Sequence, residues 1–371
     1  MTNSITRPRQ PIAVVSDVSL GYGTPQVQLF AQSLAEHYGQ EIVVFEPDQS
    51  GRAPLTSWDP RCSIQRVPTD DSPYSETGRI EYILNVADRL NRQRPATVVI
   101  FCSFCLPVLA KLRYRPRNTI YVLIEMVAPY GDFDLQMNRH LADRIDLVVF
   151  PEENRARLDI AECGFGGKPV AILYNVSNRG LHPFVPVHDR LPRLYYGGTI
   201  SRDLGMAEYF MGSDLSDVAF DLYGDITGPN HQALADAFNS GRTQLSYRGC
   251  VDARRLAALR RRYAFSLVMY RPSQTHTHFA APNKFFEAIA DGVPPIATPH
   301  PQCKMLIDRY RCGIVIEDWS YEAFAKAVKR AVKMIGTPEH SELIDNCRRA
   351  VEEELNWPRQ FDNVRRLLPA A

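Results

Sequence analysis

No sign of charge dominates this chain. Its 371 residues carry 43 Lys and Arg against 42 Asp and Glu, a formal net charge of +1. The basic excess of a protein built to neutralise nucleic-acid phosphates is missing, so no nucleic-acid partner is expected. No apolar run approaches the roughly 18 residues that cross a bilayer. The first apolar stretch, Pro11-Ile12-Ala13-Val14-Val15, is too short for a secretion signal and reads as a strand. The eight cysteines, Cys62, Cys102, Cys105, Cys163, Cys250, Cys303, Cys312 and Cys347, show no paired spacing. A chain of this length folds on its own core, so they are expected reduced, in a cytoplasm. Cys102 and Cys105 form a C-x-x-C, but no second ligand pair completes a zinc site. After the first strand stands Gly21-Tyr22-Gly23-Thr24 and not G-x-G-x-x-G, which removes the dinucleotide fingerprint. No D-x-D closes a strand, since Asp132-Phe133-Asp134 reads as a loop. Neither a metal nor a cofactor is expected.

What is present is a rhythm. Hydrophobic residues make up 45% and charged residues 23%, ordinary for a globular protein. A single core rarely exceeds about 250–300 residues, so two domains are expected. Short Val- and Ile-rich runs alternate with amphipathic helical patterns, the mark of strand-helix units in parallel sheets. In the first half, strands are predicted at 12–15, 42–45, 97–101, 119–124 and 147–150, with a sixth at 171–173, and helices at 26–38 and 82–90. Residues 175–193 have several Pro and no period, and read as a linker. The rhythm restarts with strands at 194–196, 220–223, 244–247, 265–269, 295–298 and 314–316, and helices at 252–262, 284–291 and 321–334. The fold class is α/β, with two Rossmann-like parallel-sheet domains facing across a cleft. The expected domains are 1–185 and 186–356, with 357–371 crossing back to the first. Ligands of such sheets bind beyond the carboxyl ends of the strands.

The segment Ala281-Pro282-Asn283-Lys284-Phe285-Phe286-Glu287-Ala288-Ile289-Ala290-Asp291-Gly292 carries the most chemistry. Pro282 suits a first helical position and Gly292 suits a helix stop. The amides at such an N-terminus make an anion site. Lys284 in the first turn opposes the helix dipole unless an anion lies there. Glu287, one turn on, suits a pair of sugar hydroxyls. Read as structure alone, Lys284 and Glu287 are an i,i+3 pair contributing a few tenths of a kcal/mol.

PNKFFEAIADGVPPIATP resembles the donor-binding segment of retaining glycosyltransferases of the GT-B fold. Other stretches match in order. Residues 142–149 resemble the last strand of that family's first domain, and Leu173-Tyr174-Asn175-Val176 its crossover. Tyr196-Gly197-Gly198-Thr199-Ile200 resembles the first loop of its donor domain, Tyr247-Arg248-Gly249-Cys250-Val251 its base-binding loop, and residues 311–315 the strand after the donor helix. Asn356-Trp357-Pro358 resembles the start of its crossing helix. The resemblance implies transfer of a sugar, with retained configuration, from a nucleoside diphosphate sugar to a carbohydrate or lipid-linked hydroxyl. The setting it implies is bacterial polysaccharide or glycoconjugate synthesis. It also implies that Glu287 meets the ribose and that Pro282, Asn283, Gly198, Thr199, Gly249 and Val251 surround the donor. Many members carry a second acidic residue eight positions before the ribose Glu. Here that position is Phe279, and Arg271, His276 or His278 are the candidates to fill the gap.

Leaving-group charge is expected to meet helix amides, Lys284 and Arg202 in place of a metal. The Gly21-Tyr22-Gly23 loop is expected to face acceptor and phosphate, and Glu125 to orient the acceptor or act as a base. Lys111, Arg113, Arg115 and Arg117 are candidates for peripheral contact with the inner face of an anionic membrane. Arg254, Arg255, Arg260, Arg261 and Arg262 read as a solvated helix face. The alternatives are a sugar-nucleotide epimerase of the same architecture, or a binding subunit that has lost turnover.

Overall fold

A computed structural model of the chain describes residues 11–21, 24–49, 51–56, 58–127, 131–177, 183–229, 231–239 and 244–369. The chain divides into two compact units, Met1–Tyr174 with Phe361–Ala371, and Asn175–Gln360. The first holds strands β1 (Ile12–Val15), β2 (Ile42–Pro47), β3 (Cys62–Val67), β4 (Thr97–Phe101), β5 (Asn118–Val122), β6 (Leu147–Phe150) and β7 (Val170–Ile172). They form one parallel sheet in the order β3-β2-β1-β4-β5-β6-β7. The second holds β8 (Leu191–Gly197), β9 (Phe220–Tyr223), β10 (Leu245–Tyr247), β11 (Tyr263–Val268), β12 (Pro295–Ala297) and β13 (Ile314–Val315). Their order is β10-β9-β8-β11-β12-β13, again all parallel.

Parallel sheets are covered on both faces, so their central strands are continuous apolar runs. Every residue of β1 and β4 is buried, which is why Ile12–Val15 and Thr97–Phe101 are readable from composition alone. Among the described residues the edge strand β3 pairs only with β2, and its sequence CSIQRV is largely half-exposed. It carries no such signal and falls outside the predicted strands. The helices Glu153–Cys163, His231–Asn239, Pro301–Tyr310 and Pro338–Glu353 also lie outside the prediction. The expected loop at Asp132-Phe133-Asp134 is instead the first turn of the helix Asp132–Leu141, where two carboxylates favourably meet the helix dipole. The helix predicted at 82–90 begins earlier and spans Glu76–Gln93, because the Ser75 hydroxyl caps the Gly78 amide at 3.1 Å. The expected linker is partly strand, since β8 begins at Leu191.

The helix Trp357–Arg365 carries the chain from the second unit back into the first. There Phe361 meets Phe30 edge-on at 5.4 Å, the Tyr38 hydroxyl donates to the Pro369 carbonyl at 2.9 Å, and the Asn363 amide donates to the Ile172 carbonyl at 3.3 Å. In each sheet the strand order reverses once, between β1 and β4 and between β8 and β11. The connections on either side of a reversal leave in opposite directions and open a crevice at the carboxyl edge.

Candidate functional site

In the second unit the crevice lies between the ends of β8 and β11. Three glycine turns follow the neighbouring strands. Gly198, Gly224 and Gly249 all have positive φ, at 129°, 131° and 72°. The Gly198 amide donates to the Tyr223 carbonyl at 2.9 Å, and the Gly224 amide to the Gly249 carbonyl at 3.0 Å. A Cβ on Gly224 would stand 1.9 Å from the Gly198 carbonyl oxygen, so no side chain fits there. The structure thus brings Gly198, Thr199 and Gly249 to one edge, with the Thr199 carbonyl accepting from the Tyr196 hydroxyl at 2.7 Å. Val251 packs beside them on the buried ring cluster of Tyr195, Tyr223 and Tyr263. Beneath this cluster Asp221 accepts from Tyr263 at 2.7 Å and from Arg193 at 2.8 Å. Burial would raise its carboxyl, but these partners hold it below the ordinary range.

Lys284 reaches the reversal point itself. Its ammonium lies 4.4 Å from the Tyr196 ring centre, 4.7 Å from that of Tyr270 and 3.3 Å from the Tyr196 hydroxyl. It would stand 3.1 Å from a Cβ on Gly198. Among the described residues it has no salt-bridge partner. The helix that carries it spans Asn283–Ala290, with Pro282 at the cap position, one residue outside the place expected for it. Asn175 pins the segment before the helix, donating to the Ala281 carbonyl at 2.7 Å. Gly292, at φ 67°, ends the turn with its α-carbon against Phe184.

Glu287 projects from the same helix, 34% exposed at the side chain, and its Oε2 accepts from Arg260 at 2.7 Å. Arg260 also meets Asp291 at 2.7 Å, and Asp291 meets Arg261 at 2.8 Å. This corrects the reading of the arginine run as a solvated face, because the Arg260 side chain is only 7% exposed. The run hides a buried guanidinium, since periodicity does not identify which of several like charges faces inward. The carboxylate of Glu287 is therefore held from behind and presented from the front.

Arg271, one of the candidates for the place of the missing acid, is engaged within the protein. Its guanidinium is paired with Glu208 and donates to the Arg202 carbonyl at 3.3 Å. Arg202 is exposed at the start of the short helix Arg202–Gly205. His278 ends the short helix Thr275–His278, its ring 5.5 Å from Trp319, and its carbonyl accepts from His300 Nδ1 at 3.0 Å.

In the first unit Gly21 has φ 86°, while Tyr22 and Gly23 lie outside the described residues. Glu125 follows β5, 51% exposed, with Oε2 3.0 Å from Arg155 Nη1, which also donates to the Ile124 carbonyl at 2.9 Å. Lys111, Arg113, Arg115 and Arg117 are all exposed. Sequence reasoning passes over one pair of residues at the crevice between β1 and β4. There Cys102 has φ 63°, unusual for a side-chain-bearing residue, and its thiol stands beside Asp17. Burial raises the Asp17 carboxyl and lifts the Cys102 and Cys105 thiols well above the usual range. A thiol whose thiolate is so disfavoured makes a poor nucleophile at neutral pH. Only the strand order places Asp17 beside Cys102; no motif joins them. Among the described residues no three His, Cys, Asp or Glu side chains group to hold a metal.

If Glu125 orients an acceptor, Glu125→Gln lowers kcat about tenfold or more while nucleotide affinity stays as in the parent. An unchanged turnover number would reduce it to a loop partner of Arg155.

No protein-family model matches the sequence, and no curated protein matches it. The likeness is in three dimensions. Sucrose-phosphate synthase from Thermosynechococcus elongatus matches with a TM-score of 0.72 at 14% identity, over 97% of this chain and 98% of that one. HepE from Anabaena, solved with UDP and glucose, gives 0.70 at 13% identity over 96% and 98%. WaaG, a glycosyltransferase involved in lipopolysaccharide biosynthesis, gives 0.66 at 14% identity over 97% and 100%. The two parallel sheets, their strand orders and these neighbours agree: the chain has the GT-B fold, built from two Rossmann-like domains.

Proposed function

We propose that the chain is a glycosyltransferase that moves a glycosyl group from a nucleoside diphosphate sugar to a hydroxyl acceptor. The observation that carries this reading is Lys284, an ammonium with no carboxylate partner among the described residues, held between two tyrosine rings at the reversal point of a parallel sheet. A cation so placed suits the diphosphate, with the Asn283–Ala290 helix adding its N-terminal dipole. Gly198 lets the phosphates approach the backbone, and Glu287, braced by Arg260, offers a carboxylate to the ribose. Thr199, Gly249 and Val251 complete the donor side, and exposed Arg202 adds a second cation. Glu125 and the Gly21 loop belong to the acceptor side. The solved neighbour HepE binds UDP and glucose, which supports a nucleotide-sugar donor here.

Departure of the nucleoside diphosphate is the step that needs help, since negative charge grows on the leaving oxygen as the glycosyl bond breaks. Lys284 and the helix dipole stabilise that charge. In our reading the reaction retains anomeric configuration, needs no metal, and serves polysaccharide or glycoconjugate synthesis in a bacterial cytoplasm. Lys111, Arg113, Arg115 and Arg117 then offer contact with an anionic inner membrane face where the acceptor is lipid-linked. No helix among the described residues is long and apolar enough to cross a membrane.

Calorimetric titration with nucleoside diphosphates and their sugars, with and without EDTA, tests the reading. Binding of one base class at micromolar affinity is expected, and donor turnover unchanged by the chelator. Activity lost in EDTA and restored by a divalent ion would refute the metal-independent mechanism. Absence of binding by every nucleotide would refute the function.

A further inference from the structure

The carboxyl edge of the second sheet continues beyond Lys284 along β11, β12 and β13. From the Lys284 ammonium the path runs over Tyr270 at 4.7 Å, then to His300 at 6.1 Å between ring centres, Trp319 at 5.9 Å and His278 at 5.5 Å. These residues stand on the three loops that leave the strands, residues 269–282, 298–300 and 316–320. The loops are poor in acid. Glu317 and Asp318 are their only carboxylates, and both are exposed and already engaged. Glu317 pairs with Lys326 at 2.9 Å, and Asp318 accepts from the Ser320 amide at 2.7 Å.

The groups left at the edge can all donate. The Trp319 indole N–H is buried with no hydrogen-bond partner among the described residues, and indole can only donate. His278 has ring neighbours, and no hydrogen bond to its imidazole is seen among the described residues. Lys284 has three donor positions, and one of them meets the Tyr196 hydroxyl. A neutral sugar presents hydroxyls that both give and accept, and sites for it commonly offer carboxylates to take the hydroxyl protons. A wall of donors without an open carboxylate suits a ligand that mainly accepts.

We propose that the transferred sugar carries a carboxylate, so that the donor is a nucleoside diphosphate hexuronate. This rests on the nucleotide-sugar reading above and adds the sugar's class to it. The diphosphate lies at Lys284, the sugar ring passes over the aromatic faces, and its carboxylate accepts from the Trp319 N–H and the His278 imidazole. Such charge-assisted bonds are roughly twice as strong as neutral ones, and an unmade bond to a buried donor is costly to a ligand that cannot replace it.

The test compares matched pairs, UDP-glucose with UDP-glucuronate and GDP-mannose with GDP-mannuronate, each beside UDP or GDP alone, by calorimetry. In the parent the hexuronate of the accepted base is expected to bind at least tenfold tighter than the hexose. Trp319→Phe keeps the ring and removes the N–H, and His278→Gln keeps a polar side chain and removes the imidazole. Each is expected to bring the ratio to within threefold of one, with the thermal unfolding midpoint confirming that the variant is folded. Equal or tighter binding of the hexose by the parent overturns the inference and leaves the glycosyltransferase reading standing. A preference that survives in both variants overturns the assignment to this wall. If no nucleotide or nucleotide sugar binds, both readings fall together.

Discussion

Replacing Lys284 by Met is expected to lower kcat/KM by at least 100-fold while leaving the fold intact. The size follows from the place of the ammonium. It has no carboxylate partner among the described residues, and it lies against Gly198 at the reversal point. Removing one preorganised donor from developing charge costs about 10²–10³ in kcat. Stability moves little, because within the protein the ammonium meets two ring faces and one hydroxyl, and a cation over an aromatic ring contributes about 0.5–1 kcal/mol at a partly exposed site. Met keeps the length and the apolar stem, so packing on Tyr196 and Tyr270 survives. Steady-state kinetics with donor varied, alongside thermal unfolding, separate the outcomes. Parent-like kcat/KM in a folded variant would make Lys284 a packing residue and remove the main support for a diphosphate at this edge.

Glu287→Ala should weaken nucleotide binding at least tenfold, a change of about 1.4 kcal/mol. A carboxylate that accepts from ribose hydroxyls makes charged hydrogen bonds worth about 1.5–3 kcal/mol. The fold adds a cost that the sequence does not disclose. Glu287 is one of two carboxylates on the buried Arg260, so its loss also lowers stability. Asp291 remains in place, and we expect about 1–2 kcal/mol for the lost charged bond. Glu287→Gln separates the two effects, since its amide oxygen still accepts from Arg260 while the negative charge offered to the ribose is gone. The 2′-deoxy or 3′-deoxy nucleotide should lose less affinity in Glu287→Ala than in the parent, and a double-mutant cycle gives the coupling. A variant with parental affinity for the nucleotide would exclude the ribose contact.

The difference between Lys284 and Arg260 shows what a sequence can disclose. Lys284 stands in a helix's first turn, where its charge is locally unfavourable, and that conflict with the dipole marks it from the sequence alone. Arg260 lies among Arg255, Arg261 and Arg262 with no local conflict, and only the packing of its helix beside Asp291 reveals it as buried. Strands show the same divide. Central strands such as β4 are buried on both faces and announce themselves by composition, whereas β3 is an edge with a half-exposed pattern. Asp17 and Cys102 are 85 positions apart and are neighbours only because β1 pairs with β4. Relations set by strand order are invisible to motif and periodicity, which is why the pairing of Asp17 with Cys102 escapes a reading of the sequence while the second unit's glycine turns do not.

The return of the last residues to the first unit has a consequence for how the molecule is made. Phe361 covers an edge of Phe30, Pro369 accepts from Tyr38, and Asn363 caps a carbonyl of β7. Synthesis at about 5–20 residues per second takes roughly 20–70 s for a chain of this length. For nearly all of that time the growing first unit lacks the segment that covers Phe30 and Tyr38, and the whole second unit emerges in between. The N-terminal unit is therefore first to be translated and last to be finished. Its exposed aromatic edge during that interval is where a nascent-chain chaperone would find a binding site, and where chains stalled short of residue 361 would stick to one another.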